Sequence, residues 1–328
     1  MTVSSHCGSE SVLAGAALLA MSAFLLSAGC GGRGDGASAD WIDQTTAQRG
    51  DRLLSRLDER GRMVHLSHAL VKFIDLEPAG EGARIGESDA VVFVHGFSGS
   101  MGDFAPVVLA MEGEYRMVVF DLPGFGGSLR DDDKYDIEGY VDCLEDLLER
   151  LAVRRAHLVC HSLGGQICIG AALSRTPSIA TLTLIDSAGV YDPAGFVQGI
   201  SKRMGHVNVG EVSTARGRAL FDVATSDGEI AKRLISREPA TLAALASFSE
   251  RYRERVGEIG VPTVVIWGAN DPIFGIEDAF LLKENIRDSR LYVVEDAGHS
   301  PQLTHPDLVA GWVRSHIETN RSIGKGAR

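Results

Sequence analysis

The chain has 328 residues, of which 45% are hydrophobic and 23% charged, and its formal net charge at pH 7 is −12. This length and apolar content suffice for one domain with a deep core and a modest insertion. The acidic balance, with no basic stripe, argues against nucleic acid as a partner. The five cysteines show no C-x-x-C, and no predicted helix carries a pair of histidines three or four residues apart, so we expect neither a metal nor a cofactor.

The first 29 residues have the composition of an export signal. Residues 11–29 carry no charge, and residues 12–26 are mostly Ala and Leu. This apolar run is short for a membrane span and suits the central region of a signal peptide. It ends in LSAGC, at Cys30, which resembles the end of a bacterial lipoprotein signal. That resemblance implies lipidation of Cys30, removal of residues 1–29 and anchoring to a membrane of the cell envelope.

Two features depart from such a signal. Residues 1–10 contain no Lys or Arg, and Ser27 stands where Leu is preferred. An uncleaved anchor, or a plain secretion signal giving a secreted or periplasmic protein, therefore stays open. Residues 30–60 follow as a Gly-rich tether (GGRGDGASAD at 31–40) and a helical pattern at 41–58.

The number of cysteines does not indicate a disulfide framework. If Cys30 becomes the first residue of the mature chain, Cys143, Cys160 and Cys168 remain, an odd number. Cys160 and Cys168 fall on a predicted strand and helix. We expect both to be small core residues.

Strands and helices alternate along most of the chain. Residues 62–76 have the pattern of two antiparallel edge strands. From residue 90 onward, short apolar strands (90–94, 117–120, 157–160, 181–185) alternate with helical patterns (103–112, 137–151, 163–175). This alternation predicts an α/β fold whose mostly parallel sheet is covered by helices on both faces. Functional groups then belong at the carboxyl ends of the strands.

The first functional loop follows the strand at 90–94. Residues 91–99 read VVFVHGFSG, a buried strand that opens into His95-Gly96-Phe97. An HG pair after such a strand is typical of a loop whose backbone binds an oxyanion. We expect the N–H of Phe97 to be one donor. His95 is interpreted as a structural residue that bonds nearby backbone.

Residues 160–165, CHSLGG, carry the most informative residue of the chain, Ser162. A serine between a strand and a helix, with glycines after it, matches the nucleophile elbow G-x-S-x-G, although Cys160 replaces the first glycine. The tight turn lifts the hydroxyl into a cleft and starts a helix behind it. The N–H of Leu163, at the positive end of that helix, is the second expected oxyanion donor.

Two later strands supply an acid and a base. Residues 263–273 (TVVIWGANDPI) end in a turn that holds Asp271, and residues 291–299 (LYVVEDAGH) end at His299. The order Ser162, Asp271, His299 is the chain order of a serine hydrolase triad. Asp186, at the end of the strand at 181–185, is the alternative acid.

The alternation of strands and helices stops between residues 191 and 257. No buried strand is indicated there, and helical stretches of mixed charge suggest a small helical lid over Ser162. The predicted α/β core then comprises residues 61–190 and 258–320.

Across residues 60–320 the chain resembles the α/β-hydrolase superfamily. The motifs that carry the resemblance are VHGFSGS, FDLPGFGGS (120–128), CHSLGG, LIDSAGV (184–190), WGANDPI and DAGHSPQLTHP (296–306). They are most similar to bacterial lipases and esterases of the Moraxella-type lipase group, and also to C–C bond hydrolases of ring-cleavage products. Related enzymes with an Asp nucleophile are excluded by Ser162.

The resemblance implies a serine hydrolase of carboxylic esters, a lipase or esterase with acylglycerols as the favoured substrates. It needs no cofactor or metal. Its partners would be a small-molecule or lipid ester and, through Cys30, a membrane surface. A C–C bond hydrolase and a non-catalytic ligand-binding protein on the same scaffold are the alternatives.

Overall fold

The computed structural model describes residues 60–79, 88–97, 99–130, 136–176, 178–190, 252–271 and 273–321. The expected signal at 1–29, the tether and helix up to residue 59, Cys30 and residues 191–251 of the expected lid lie outside the described residues. In the described part of the chain, no helix combines the length and apolar content needed to cross a membrane.

In the described residues, nine strands form one sheet. They are β1 (Arg62–Leu66), β2 (Ala69–Leu76), β3 (Asp89–Val94), β4 (Met117–Phe120), β5 (Leu129–Arg130), β6 (Arg155–His161), β7 (Ile179–Ile185), β8 (Thr263–Gly268) and β9 (Ser289–Val294). The helices are α1 (Ala105–Ala110), α2 (Ile137–Arg150), α3 (Leu163–Leu173), α4 (Ile276–Asn285), α5 (Pro301–Thr304) and α6 (Pro306–Thr319), with 3₁₀ turns at Met101–Phe104 and Val256–Glu258.

The sheet is mostly parallel, which confirms the predicted fold class. Its strand order is β1-β2-β4-β3-β6-β7-β8-β9, and β5 pairs with β2 off this path. The strands β4, β3, β6, β7, β8 and β9 run parallel. β1 and β2 form the expected antiparallel edge pair. The two-residue β5 was not predicted, because so short a segment shows no alternation.

The order of the strands creates a crevice at β3. β4 lies on one side of β3 and β6 on the other, so the direction of winding reverses there. In open α/β sheets, ligands bind outside the carboxyl ends of the strands at such a point. Val94 pairs with Cys160. The loop after β3 and the turn after β6 therefore start side by side.

Apolar residues cover both faces of the sheet. Along β3, Val92 and Val94 join one core cluster with residues of α2 and α3, whereas Val91 and Phe93 join a second cluster with residues of α1 and α6. This explains why the strand reads as a continuous apolar run, since both of its faces are buried.

A disulfide joins Cys160 in β6 to Cys168 in α3, which corrects the expectation of two separate core thiols. Both residues are fully buried. After the tight turn at Ser162, α3 folds back along β6, and this brings the two Cα atoms to 6.6 Å. The odd number of cysteines does not prevent the pairing, because Cys143, a buried residue of α2, takes no part in it.

Candidate active site

Ser162 occupies the turn between β6 and α3. Its backbone has φ 51° and ψ −118°, a conformation that non-glycine residues rarely adopt and that costs about 1–3 kcal/mol. The surrounding structure holds it in place: its carbonyl accepts N–H groups from Gly165 at 2.9 Å and Ala188 at 3.0 Å. The residue is buried but not sealed, at 7% exposure. This is the geometry expected of a nucleophile elbow.

Two glycines allow backbone segments to meet around Ser162. A Cβ at Gly164 would lie 2.2 Å from the carbonyl oxygen of Val94, at the end of β3. A Cβ at Gly96 would lie 2.9 Å from His161 Nδ1 and 3.0 Å from Ser162 Cβ. The loop after β3 therefore packs directly against the elbow.

The two expected oxyanion donors lie in these segments. Leu163 is the first residue of α3, and the first N–H groups of a helix have no acceptor within it. Phe97 is half-buried, and its ring meets that of Phe125 edge-on at 6.0 Å. Leu163 directly follows Ser162, and Phe97 directly follows Gly96, the residue that packs against the elbow. That their N–H groups bind an oxyanion stays a prediction.

His95 holds the loop that follows β3. Its Nδ1 lies 2.7 Å from the carbonyl of Gly96, and its Nε2 accepts the N–H of Leu122 at 2.9 Å. Complete burial lowers the pKa of His95, so the ring is uncharged. The interpretation of His95 as a structural residue is confirmed.

Asp121 supports the same loop and was missed in the sequence. Its Oδ1 accepts the N–H of Met101 at 2.7 Å and its Oδ2 that of Gly127 at 2.8 Å. The DLPGFG motif contains this residue, but composition alone does not distinguish it from a turn aspartate.

Asp271 and His299 are in direct contact. Asp271 Oδ2 lies 2.8 Å from His299 Nδ1, and Asp271 is 1% exposed. The other carboxylate oxygen accepts the N–H groups of Ile273 at 2.7 Å and Phe274 at 3.2 Å. The carboxylate is therefore fully occupied, with one oxygen held by backbone and the other facing the imidazole.

Asp186, the alternative acid, has a different role in the structure. Its Oδ1 accepts the N–H of Gly268 at 2.8 Å, while its Oδ2 is buried with no hydrogen-bond partner. Burial, and next the charge of Asp271, raise the pKa of Asp186 well above its ordinary value. Asp186 thus ties the end of β7 to the end of β8, in surroundings that favour its uncharged form.

His161 completes the cluster, and no sequence pattern singled it out. Its Nε2 lies 2.6 Å from the carbonyl oxygen of His299, and the two rings are 4.8 Å apart. Since His161 directly precedes Ser162, this contact brings the elbow and the His299 loop together. Within the described ranges, potential ligand atoms of His161, Asp186 and His299 lie within 4.8 Å of one another.

Several known proteins similar to this chain are hydrolases. A 2-hydroxy-6-oxo-6-(2'-aminophenyl)hexa-2,4-dienoic acid hydrolase of Metapseudomonas resinovorans is 23% identical over 74% of this chain and 88% of its own length. Monoacylglycerol lipase abhd6-A of Xenopus laevis is 27% identical, over 67% and 73%. Lipase 1 of Psychrobacter immobilis is 25% identical, over 68% and 74%.

A solved structure and a family comparison agree with the fold. A thermophilic esterase from Thermogutta terrifontis superposes with a TM-score of 0.59 at 22% identity, covering 79% of this chain and 99% of its own. The sequence pattern of the Alpha/beta hydrolase family matches residues 91–312, which include Ser162, Asp271 and His299. The chain belongs to the alpha/beta hydrolase family.

Proposed function

We propose that this chain is a serine hydrolase of carboxylic esters, with Ser162 as nucleophile, His299 as base and Asp271 as the carboxylate that orients the base. The observation that carries the proposal is the 2.8 Å contact between His299 Nδ1 and Asp271 Oδ2 at the sheet edge where Ser162 lies. A carboxylate facing Nδ1 keeps the proton on that nitrogen. The lone pair is then on Nε2, the form that a general base requires.

The reaction would proceed in two steps. His299 removes the hydroxyl proton of Ser162, and Ser162 Oγ attacks the ester carbonyl carbon, with the N–H groups of Phe97 and Leu163 around the resulting oxyanion. The C–O bond to the alcohol breaks, and the alcohol leaves with the proton from His299. Water, deprotonated by His299, then attacks the acyl-enzyme and releases the carboxylic acid and Ser162.

Acylglycerols are the proposed substrate class. The similarity to a monoacylglycerol lipase and to a bacterial lipase supports this choice. A C–C bond hydrolase is the second candidate. The Metapseudomonas relative, which is 23% identical to this chain, is named as a hydrolase of a dienoic acid. The same triad can serve either reaction, so the substrate decides between them.

Two assays test the proposal. A fluorophosphonate probe should label the wild-type protein and not Ser162→Ala, because only an activated serine reacts; a non-catalytic binder would take up no label. Turnover of p-nitrophenyl esters of increasing acyl length, of monoacylglycerols and of a 2-hydroxy-6-oxo-dienoic acid then ranks the substrates. Faster turnover of the dienoic acid than of every ester would favour the C–C hydrolase.

We also propose that the protein is exported and anchored through a lipid on Cys30. The Cys160–Cys168 disulfide supports export, because disulfides persist in oxidising compartments such as the bacterial periplasm. Several acyl chains on one cysteine would hold the enzyme firmly at a membrane. Labelling with an alkyne fatty acid should mark wild type and not Cys30→Ser. Absence of label from wild type, with a mature N-terminus elsewhere, would refute the anchor.

A further inference from the structure

A second imidazole lies against the catalytic one and takes no part in the proton transfers. His161 is the last residue of β6 and is only 6% exposed. Its ring centroid lies 4.8 Å from that of His299, with 51° between the ring planes. Its Nε2 lies 2.6 Å from the main-chain oxygen of His299. A carbonyl oxygen can only accept, so His161 Nε2 carries the proton and donates it.

This contact joins two elements that the reaction needs in a fixed arrangement. Ser162 is held rigidly by the strained turn between β6 and α3, whereas His299 lies on the loop between β9 and α5. Asp271 bonds the side chain of His299 but does not fix its main chain. The bond from His161 fixes that main chain relative to the strand that ends at Ser162.

The surroundings of His161 keep it uncharged. Burial, and next the nearby His299, lower the pKa of His161 well below its ordinary value. Burial also raises the pKa of Asp186, which belongs to the same cluster, and so favours its uncharged form. An uncharged neighbour can touch His299 closely without repelling the imidazolium that forms during the reaction.

We propose that His161 is a positioning residue: its Nε2–H bond to the His299 carbonyl, together with the ring contact, sets where the imidazole of His299 stands between Asp271 and Ser162. This inference rests on the proposed esterase function. A displacement of about 1 Å in a reacting group can cost on the order of 100-fold in rate, so the bond should affect turnover more than substrate binding.

The test compares variants that keep or remove the donor. His161→Gln places an amide nitrogen the same number of bonds from Cα as Nε2, whereas His161→Phe keeps a ring without a donor. We expect kcat on a p-nitrophenyl ester to fall about 10- to 100-fold in the Phe variant, with KM changed less than about threefold. In the Gln variant we expect kcat within about threefold of wild type.

A matched control lies on the same strand. His157 is a buried histidine of β6, with Nδ1 2.9 Å from Thr181 Oγ1 and no contact with His299 in the described structure. His157→Phe should lower the melting temperature without lowering kcat. A similar kcat loss in both Phe variants would mean that His161 acts only through stability, and it would overturn the inference.

The remaining outcomes are also decisive. Unchanged kcat in folded His161→Phe, or failure of the Gln variant to restore it, overturns the positioning role alone. If His161→Phe does not fold, His161→Asn, whose amide is one bond shorter, replaces it; Asn should be about tenfold slower than Gln, and equal rates refute the inference. A wild-type protein with no Ser162-dependent ester turnover overturns both this inference and the proposed function.

Discussion

Replacing Asp271 with asparagine should remove almost all turnover while leaving the fold in place. One oxygen of Asp271 accepts two backbone N–H groups, and the other faces His299 Nδ1. An amide can supply an acceptor to only one of these sides. The backbone donors fix its oxygen, so the NH₂ group faces His299 and forces the proton onto Nε2. The imidazole is then unable to accept the proton of Ser162.

The expected loss of kcat is large because the substitution places the proton of His299 on the wrong nitrogen, rather than moving the ring by a small distance. In serine proteases the same change costs about 10⁴ in kcat, which corresponds to about 5.4 kcal/mol of transition-state stabilisation. We expect a loss of about 10³–10⁴ in kcat on p-nitrophenyl butyrate, with little change in melting temperature.

Asp186→Asn is the matched control. Burial favours the uncharged form of Asp186, an amide has nearly the same shape as that carboxyl, and the amide oxygen can still accept from Gly268. We expect kcat within about tenfold of wild type. Near-normal kcat in Asp271→Asn, together with a collapsed kcat in folded Asp186→Asn, would refute this reasoning and move the acid to the end of β7.

Three further predictions concern stability. Gly164→Ala should cost about 3 kcal/mol or more in unfolding free energy, since its Cβ meets backbone at 2.2 Å, whereas Gly311→Ala, on the open face of α6, should stabilise by about 1 kcal/mol; urea unfolding compares them, and equal effects would contradict the assigned close approach. Cys168→Ala should lose about 2–3 kcal/mol through the 8-residue link to Cys160, and a reductant should have no further effect on that variant; no loss would mean that the bond does not form. Burial lowers the pKa of His157 in the folded protein to about 3. Below about pH 6.5, His157 therefore binds a proton in the unfolded chain but stays unprotonated in the folded protein. Wild-type stability should therefore fall as pH drops from about 6.5, and fall less in His157→Phe; parallel curves would contradict the shift.

Much of the fold could be predicted because the apolar runs in the sequence are the segments that the structure buries as strands. Strands such as β3 are apolar on both faces, and their lengths and spacing leave few alternatives to a covered parallel sheet. The positions of Ser162, Asp271 and His299 follow, since each lies just beyond the carboxyl end of a strand. The register of parallel strands then brings these ends together.

Two features that escaped prediction, His161 and the disulfide, and one choice that the sequence left open depend on contacts between distant segments. His161 is one step from Ser162 in sequence, yet its importance depends on a carbonyl in another loop. Whether Asp186 or Asp271 faces His299 is decided by side-chain direction at the ends of two adjacent strands. The disulfide depends on how α3 folds back along β6 after the turn, which a count of cysteines does not describe.

The Cys160–Cys168 bond has a practical consequence for anyone who produces this enzyme. Protein made in the reducing cytoplasm of a standard expression host would carry two buried thiols behind Ser162, a different covalent species from the one described. Kinetic constants from such material would belong to that species. Secretion into the periplasm, or an oxidising host strain, together with a thiol count on the denatured protein, should therefore precede any comparison of activities between preparations.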